Sequence, residues 1–148
     1  MKVFRKSILW GALTAVLAIT AIMPSLQAGP ATAGRFKLQF DAQVGKTALP
    51  TGDYTFSVDR TAGSYGVIFV YREGQALGIV VPQTLDRYKG QGLSPELLCI
   101  RHDGKVSVRA LRLPNVGTYY FEMPKNLQAL VAQQPELIEA VPVQVSGE

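Results

Sequence analysis

The stretch Phe36-Lys37-Leu38-Gln39-Phe40-Asp41-Ala42-Gln43-Val44 decides the fold class. Apolar and polar residues alternate along it, and an extended chain points successive side chains to opposite faces. The pattern is that of a half-buried strand. Gly45 ends it. Leu49-Pro50-Thr51-Gly52-Asp53 then reads as a turn, with Pro50 and Gly52 supplying the backbone angles of a reversal. Tyr54, Phe56 and Val58 alternate with Thr55, Ser57 and Asp59, which gives a second strand.

The same reading extends along the chain. Gly63-Ser64 marks a turn. Val67 to Tyr71 is a continuous apolar run, which predicts a strand covered on both faces. Arg72-Glu73-Gly74-Gln75 is a hairpin loop, Ala76 to Val81 is the returning strand, and Pro82 stops it. Pro82 to Glu96 has no clear period. It is either a functional or mobile loop or a crossing between sheets with a helical turn near Thr84–Tyr88. Leu97–His102 and Lys105–Leu113 are strands joined by the tight-turn pair Asp103-Gly104. The second of them changes parity: Val106, Val108 and Ala110 are even, Leu111 and Leu113 odd. That change predicts a β-bulge or bend near Ala110.

Pro114-Asn115-Val116-Gly117 turns the chain into a strand over Thr118–Met123, with Tyr119, Phe121 and Met123 on one face. Asn126 is a suitable N-cap for a short helix through Leu127, Leu130 and Val131, which Pro135 limits. Leu137 to Val145 is either one more strand, interrupted by Pro142, or a loosely attached tail. These elements predict an all-β fold: an antiparallel β-sandwich or small β-barrel of about seven or eight strands, with a short C-terminal helix and an N-terminal signal helix. The organisation expected is a signal peptide over 1–28, a β domain over 34–123, and a C-terminal helix and tail over 124–148.

The leader is read from three features. Lys2, Arg5 and Lys6 form a basic start, Ile8 to Met23 carries no charge, and small residues follow Pro24-Ser25. Cleavage is expected after Ala28 or after Ala33. The uncharged run is shorter than the roughly 20 residues that span a bilayer comfortably, which favours a cleaved signal over an anchor. The expected location is therefore periplasmic or secreted, in a bacterium. Three of the 15 Lys and Arg lie in the leader and none of the 11 Asp and Glu does, so the remainder carries a net charge of +1. The basic whole-chain balance thus gives no support to nucleic-acid binding. The remaining length suffices for one hydrophobic core without staples. A single cysteine, Cys99, allows no internal disulfide, and its apolar neighbours Leu97, Leu98 and Ile100 point to burial.

Few residues carry chemistry. His102 is the only histidine, and no spacing suited to a metal site is present, so no metal and no cofactor is expected. Cys99 and His102 would point to opposite faces of one strand, which argues against a nucleophile pair. No Gly-x-Ser-x-Gly elbow, Walker-type loop or dinucleotide glycine pattern occurs. Asp41, Asp53, Asp59 and Glu122 fall on predicted strands or turns, and nothing singles out two of them as a pair. The candidate ligand contacts are Tyr88, Arg101, Lys105 and Arg109. Arg101, Lys105 and Arg109 are expected to share a face of one hairpin, either as a patch for an anionic polysaccharide or lipid headgroup or as a solvated face that discourages edge pairing. Tyr88, between Arg87 and Lys89, is the aromatic best placed for exposure.

Phe40-Asp41-Ala42-Gln43-Val44-Gly45 followed by Leu49-Pro50-Thr51-Gly52-Asp53-Tyr54-Thr55 resembles small exported β-rich proteins of the Acidobacteria type, in which a strand and a glycine precede Leu-Pro-x-Gly-x-Tyr. The likeness runs over roughly 36–123. It implies export and a β fold, and no activity. The function expected is that of a non-enzymatic binding or envelope-associated protein, partnered by envelope polysaccharide or another exported protein and touching the membrane only through an uncleaved leader. The alternatives are a carboxylate-dependent hydrolase of cell-wall or extracellular polymers, and a structural subunit of a surface assembly.

Overall fold

A computed structural model of the chain describes residues 32–87 and 92–146. The leader and Tyr88 lie outside them. The described residues form a mostly β fold with eleven strands and one short α-helix. The strands are β1 (Thr32–Leu38), β2 (Ala42–Val44), β3 (Thr47–Leu49), β4 (Gly52–Asp59), β5 (Val67–Arg72), β6 (Gln75–Val80), β7 (Thr84–Asp86), β8 (Glu96–His102), β9 (Lys105–Leu113), β10 (Gly117–Tyr120) and β11 (Ile138–Ser146), with helix α1 (Lys125–Gln133) before the last. They join in one sheet in the order β3-β2-β9-β8-β11-β1-β4-β5-β6, with β10 on β9 and β7 on β10. The ends of this path, β3 and β6, come together where Gly78 lies against Thr47, so the sheet is nearly closed and barrel-like.

Eleven strands replace the seven or eight expected because one expected strand is two, and because the short strands β3 and β7 fall in stretches without a strand pattern. The alternating stretch that opens the fold is two strands: β1 ends at Leu38 and β2 begins at Ala42. Between them Asp41 Oδ1 accepts hydrogen bonds from the backbone N–H (2.7 Å) and the hydroxyl (3.0 Å) of Thr51, which turns the chain from one part of the sheet to another. The helical turn expected near Thr84–Tyr88 is corrected over its described part. Thr84–Asp86 is extended and pairs with Thr118–Tyr120, so the segment crosses as a strand.

The Leu-Pro-x-Gly-x-Tyr stretch closes on itself. Leu49 is buried, the Tyr54 hydroxyl donates to the Pro50 carbonyl, and Arg72 Nη2 donates to the Thr51 carbonyl at 3.1 Å. The Tyr54 ring stacks on Phe36 at 5.3 Å between centroids. A buried tyrosine thus satisfies its polar tip on the turn just upstream while its ring fills the core.

The core joins both halves of the sheet: Phe36, Leu38, Tyr54, Phe56, Val58, Leu97, Cys99, Val108, Leu111 and Tyr119 all face inward. Burying each such side chain stabilises the fold by roughly 1.5–3 kcal/mol. A smaller cluster of Ile100, Met123 and Val131 lies under α1, which covers the opposite face of β8. Met123 therefore departs from the face expected to hold Tyr119 and Phe121. The helix begins after Pro124, so Asn126 sits in its first turn and is not its N-cap. The bulge expected near Ala110 is present: the β8–β9 register shifts where Leu98–Cys99 faces Val108–Ala110. The carbonyl of Arg109, the extra residue, accepts from the Phe121 N–H at 2.9 Å.

Of the two readings of the Val-rich end, the strand holds. β11 pairs with β8 through Ile138–Pro142 and with β1 through Val143–Ser146, changing partners at Pro142. A proline lacks the N–H that a ladder needs, and its place here is the switch point.

Candidate functional site

The interior of the sheet is filled. The space left among Phe36, Val44, Phe56, Val70, Leu97 and Phe121 amounts to about 20 Å³, too little for an enclosed ligand. The larger concavities of the described residues lie on outer surfaces.

The sequence candidates do not form one patch. The two-residue turn at Asp103-Gly104 pairs His102 with Lys105 and Arg101 with Val106. Arg101 therefore shares the inner parity of Val106, whereas Lys105 lies on the outer face, and the shared face expected for them is corrected. Parity counted along the chain does not survive a hairpin turn. Arg101 caps one end of the sheet, with its guanidinium 4.8 Å from the Phe40 ring centroid and 3.5 Å from Glu139. Arg109 sits at the bulge, 5.8 Å from the Tyr120 ring. Lys105 borders an open groove of about 570 Å³ with Asp41, His102, Ser107 and Asn126. His102 Nε2 lies 3.1 Å from Asp103 at the hairpin tip.

The other reactive groups are occupied by the fold. Cys99 is fully buried, and burial, followed by the nearby Glu139 carboxylate, pushes its thiol up to about 12. Asp41 and Asp59 are held below the ordinary carboxylate range by hydrogen bonds from Thr51 and Thr61 respectively. Asp53 borders a shallow concavity of about 690 Å³ on the outer face of β11, β1 and β4, with Arg35, Lys37, Thr55, Glu73 and Gln144 around it. Among the described residues no three His, Cys, Asp or Glu gather as metal ligands would, and no helix is long and apolar enough to cross a membrane.

The surface that departs most from a solvated sheet face is the β5–β6 hairpin. The run Val67–Tyr71 was expected to be covered on both faces. Ile68 and Val70 are buried inside, while Val67, Phe69 and Tyr71 are only half-buried on the outside. Phe69 pairs across the ladder with Ile79, which is 57 % exposed; Val81, just beyond β6, is 65 % exposed, and Leu77, at the register shift, 40 %. β6 carries no charged side chain and ends the hydrogen-bonded path of the sheet. Strand edges and faces usually carry charge to resist association, and this one does not. On its inner side β4 supplies a polar border, with Ser57 opposite Phe69 and Thr55 opposite Tyr71. Runs of hydrophobic residues beyond one-face alternation are the sequence signal for this surface, and the same signal suits a strand buried on both faces.

Comparison of the chain with protein families, with curated proteins and with solved structures returns no match.

Proposed function

We propose that this chain is an exported binding protein that docks another polypeptide of the cell envelope on the outer face of its β5–β6 hairpin. The observation that carries the reading is the exposure of Ile79 and Val81 beside the half-buried Phe69 and Tyr71. The leader-like start, with its basic residues and uncharged run, supports export. The architecture is read as a small barrel with an unladdered seam between β3 and β6, which leaves the hairpin at a border of the sheet.

Area argues for the kind of contact. Two neighbouring strands about 20 Å long offer an apolar face of roughly 200 Å². A stable interface buries about 800 Å² on each partner. The hairpin is thus the size of an interface core, and Thr55 and Ser57 fit its polar rim. A partner segment with aliphatic side chains would bury its own apolar surface against Phe69 and Ile79 and leave its polar edge to β4.

A photoreactive residue at position 81 tests this in the producing cell. The expected result is one discrete adduct with a second polypeptide, lost when Ile79→Asp is introduced. The exposed position makes the substitution mild for the fold, and unchanged circular dichroism and melting verify this. An adduct of two copies of the chain would transfer the face to self-assembly. Absence of any adduct, or one indifferent to Ile79→Asp, would overturn the proposal.

A further inference from the structure

The first strand decides where the leader is cut, an inference that rests on the export reading and not on the docking one. Two cuts suit the leader, one after Ala28 and one after Ala33. By sequence the second is the better, because Ala31-Thr32-Ala33 is small at both recognised positions and Leu26-Gln27-Ala28 at only one. The fold opposes it. The Ala33–Gly34 bond lies inside β1 (Thr32–Leu38), whereas Ala28 precedes that strand.

Ala33 is held from both sides, in register with Ser57 of β4 and with Ser146 of β11. Thr32 lies opposite Val58, a residue of the buried core. A cut after Ala33 would remove two of the seven pairs that join β1 to β4 and one of the four that join it to β11. The second loss falls on the ladder by which the strand order passes from β8 and β11 to β1 and β4.

The residue left at the new start is poorly suited to be one. Gly34 is buried. A Cβ there would stand 2.6 Å from the Gln144 carbonyl oxygen and 2.7 and 2.8 Å from two atoms of the Phe56 ring. Main chain and ring close on this position, and only hydrogen fits between them. A free α-amino group has an ordinary pKa of about 7.7–8.0 and is mostly protonated at neutral pH. The cut would set that charge on a buried residue whose cross-strand partners, Phe56 and Val145, cannot pair it. Burying an unpaired charge is costly.

Folding also closes the bond to later processing. Proteolytic cuts concentrate where the backbone is exposed and unpaired. From Ala33 to Phe36 the backbone of β1 has a neighbouring strand on either side. A cut after Ala28 leaves every pair of the strand in place.

We propose that the exported protein is cut after Ala28 and begins at Gly29, and that Thr32 and Ala33 are structural residues of its first strand. The small residues before Gly34 then serve the sheet and not the peptidase.

The full chain is expressed with its own leader in a bacterium, and the accumulated protein is read by intact mass and N-terminal sequencing. The first residue should be Gly29. A peptidase that needs a small residue before the cut is blocked by glutamine there. Ala28→Gln should lower the yield of the Gly29-first product about tenfold or more. Ala33→Gln, at a half-buried position, should leave that yield unchanged. Deleting residues 29–33 joins Ala28 to Gly34, so the same cut delivers a chain that begins at Gly34. This product should melt about 5 °C or more below the parent, or fail to accumulate. Where it fails to accumulate, the mass of the parent still decides. A first residue later than Gly29, or a Gly34-first chain that melts with the parent, would overturn the proposal and leave export standing. A chain that keeps its leader would overturn the proposal and the export reading together.

Discussion

Gly117 presses on Arg87 so closely that a Cβ there would stand 2.9 Å from the arginine's Cα. The glycine has φ of 133°, opens β10, and follows the turn that carries Asn115. Its lack of a side chain links the β9–β10 turn to the end of β7.

Gly117→Ala should therefore cost about 3 kcal/mol, the sum of backbone strain at that φ and of a clash with the Asp86 carbonyl. Urea unfolding of the purified variant measures it. A loss below about 0.5 kcal/mol, the scale of ordinary surface changes, would mean that the two segments part freely.

Cys99 should be inert in the folded protein. With its thiol at about 12, the reactive thiolate is on the order of one part in ten thousand at pH 8, and the side chain has no exposed surface. A disulfide-exchange reagent should label no thiol in native buffer and one per chain in denaturing guanidinium chloride. Prompt labelling of the native protein would show that β8 opens locally.

Acid should weaken the fold through Asp41 and Asp59. Both carboxyls are lowered in the native state, by Thr51 and Thr61. Below the ordinary carboxylate value of about 3.9 the unfolded chain takes up protons that the native chain still refuses. The stabilisation is complete above that pH and is lost as pH falls through the depressed native values. Urea midpoints at pH 7 and pH 3 should differ less in an Asp41→Asn, Asp59→Asn double variant than in the parent. Equal differences would remove these turns from the acid response.

Much of the fold was legible because period-two alternation and turn residues are local signals. Tyr54, Phe56 and Val58 read as one inward face and are so. Asp103 and Gly104 read as a tight turn and adopt positive φ of 49° and 72°. The parity change at Ala110 located the bulge. What failed was non-local. Whether Phe69 is covered on its outer side depends on what packs there, which its neighbours in sequence do not specify. The break at Asp41 depends on Thr51, and the faces of Arg101 and Lys105 on the pairing across a turn.

The place of β11 has a kinetic consequence. Ala33, in the first described strand, lies opposite Ser146, in the last, and β8 reaches β1 only through residues 138–146. That segment must be in place before the two halves can be stitched together. Until then each half exposes greasy edges to solvent. Pairing across so long a loop is also slow, because chain entropy is spent before contacts accrue. Closure of the sheet is therefore the non-local step of folding, and it turns on residues 138–146.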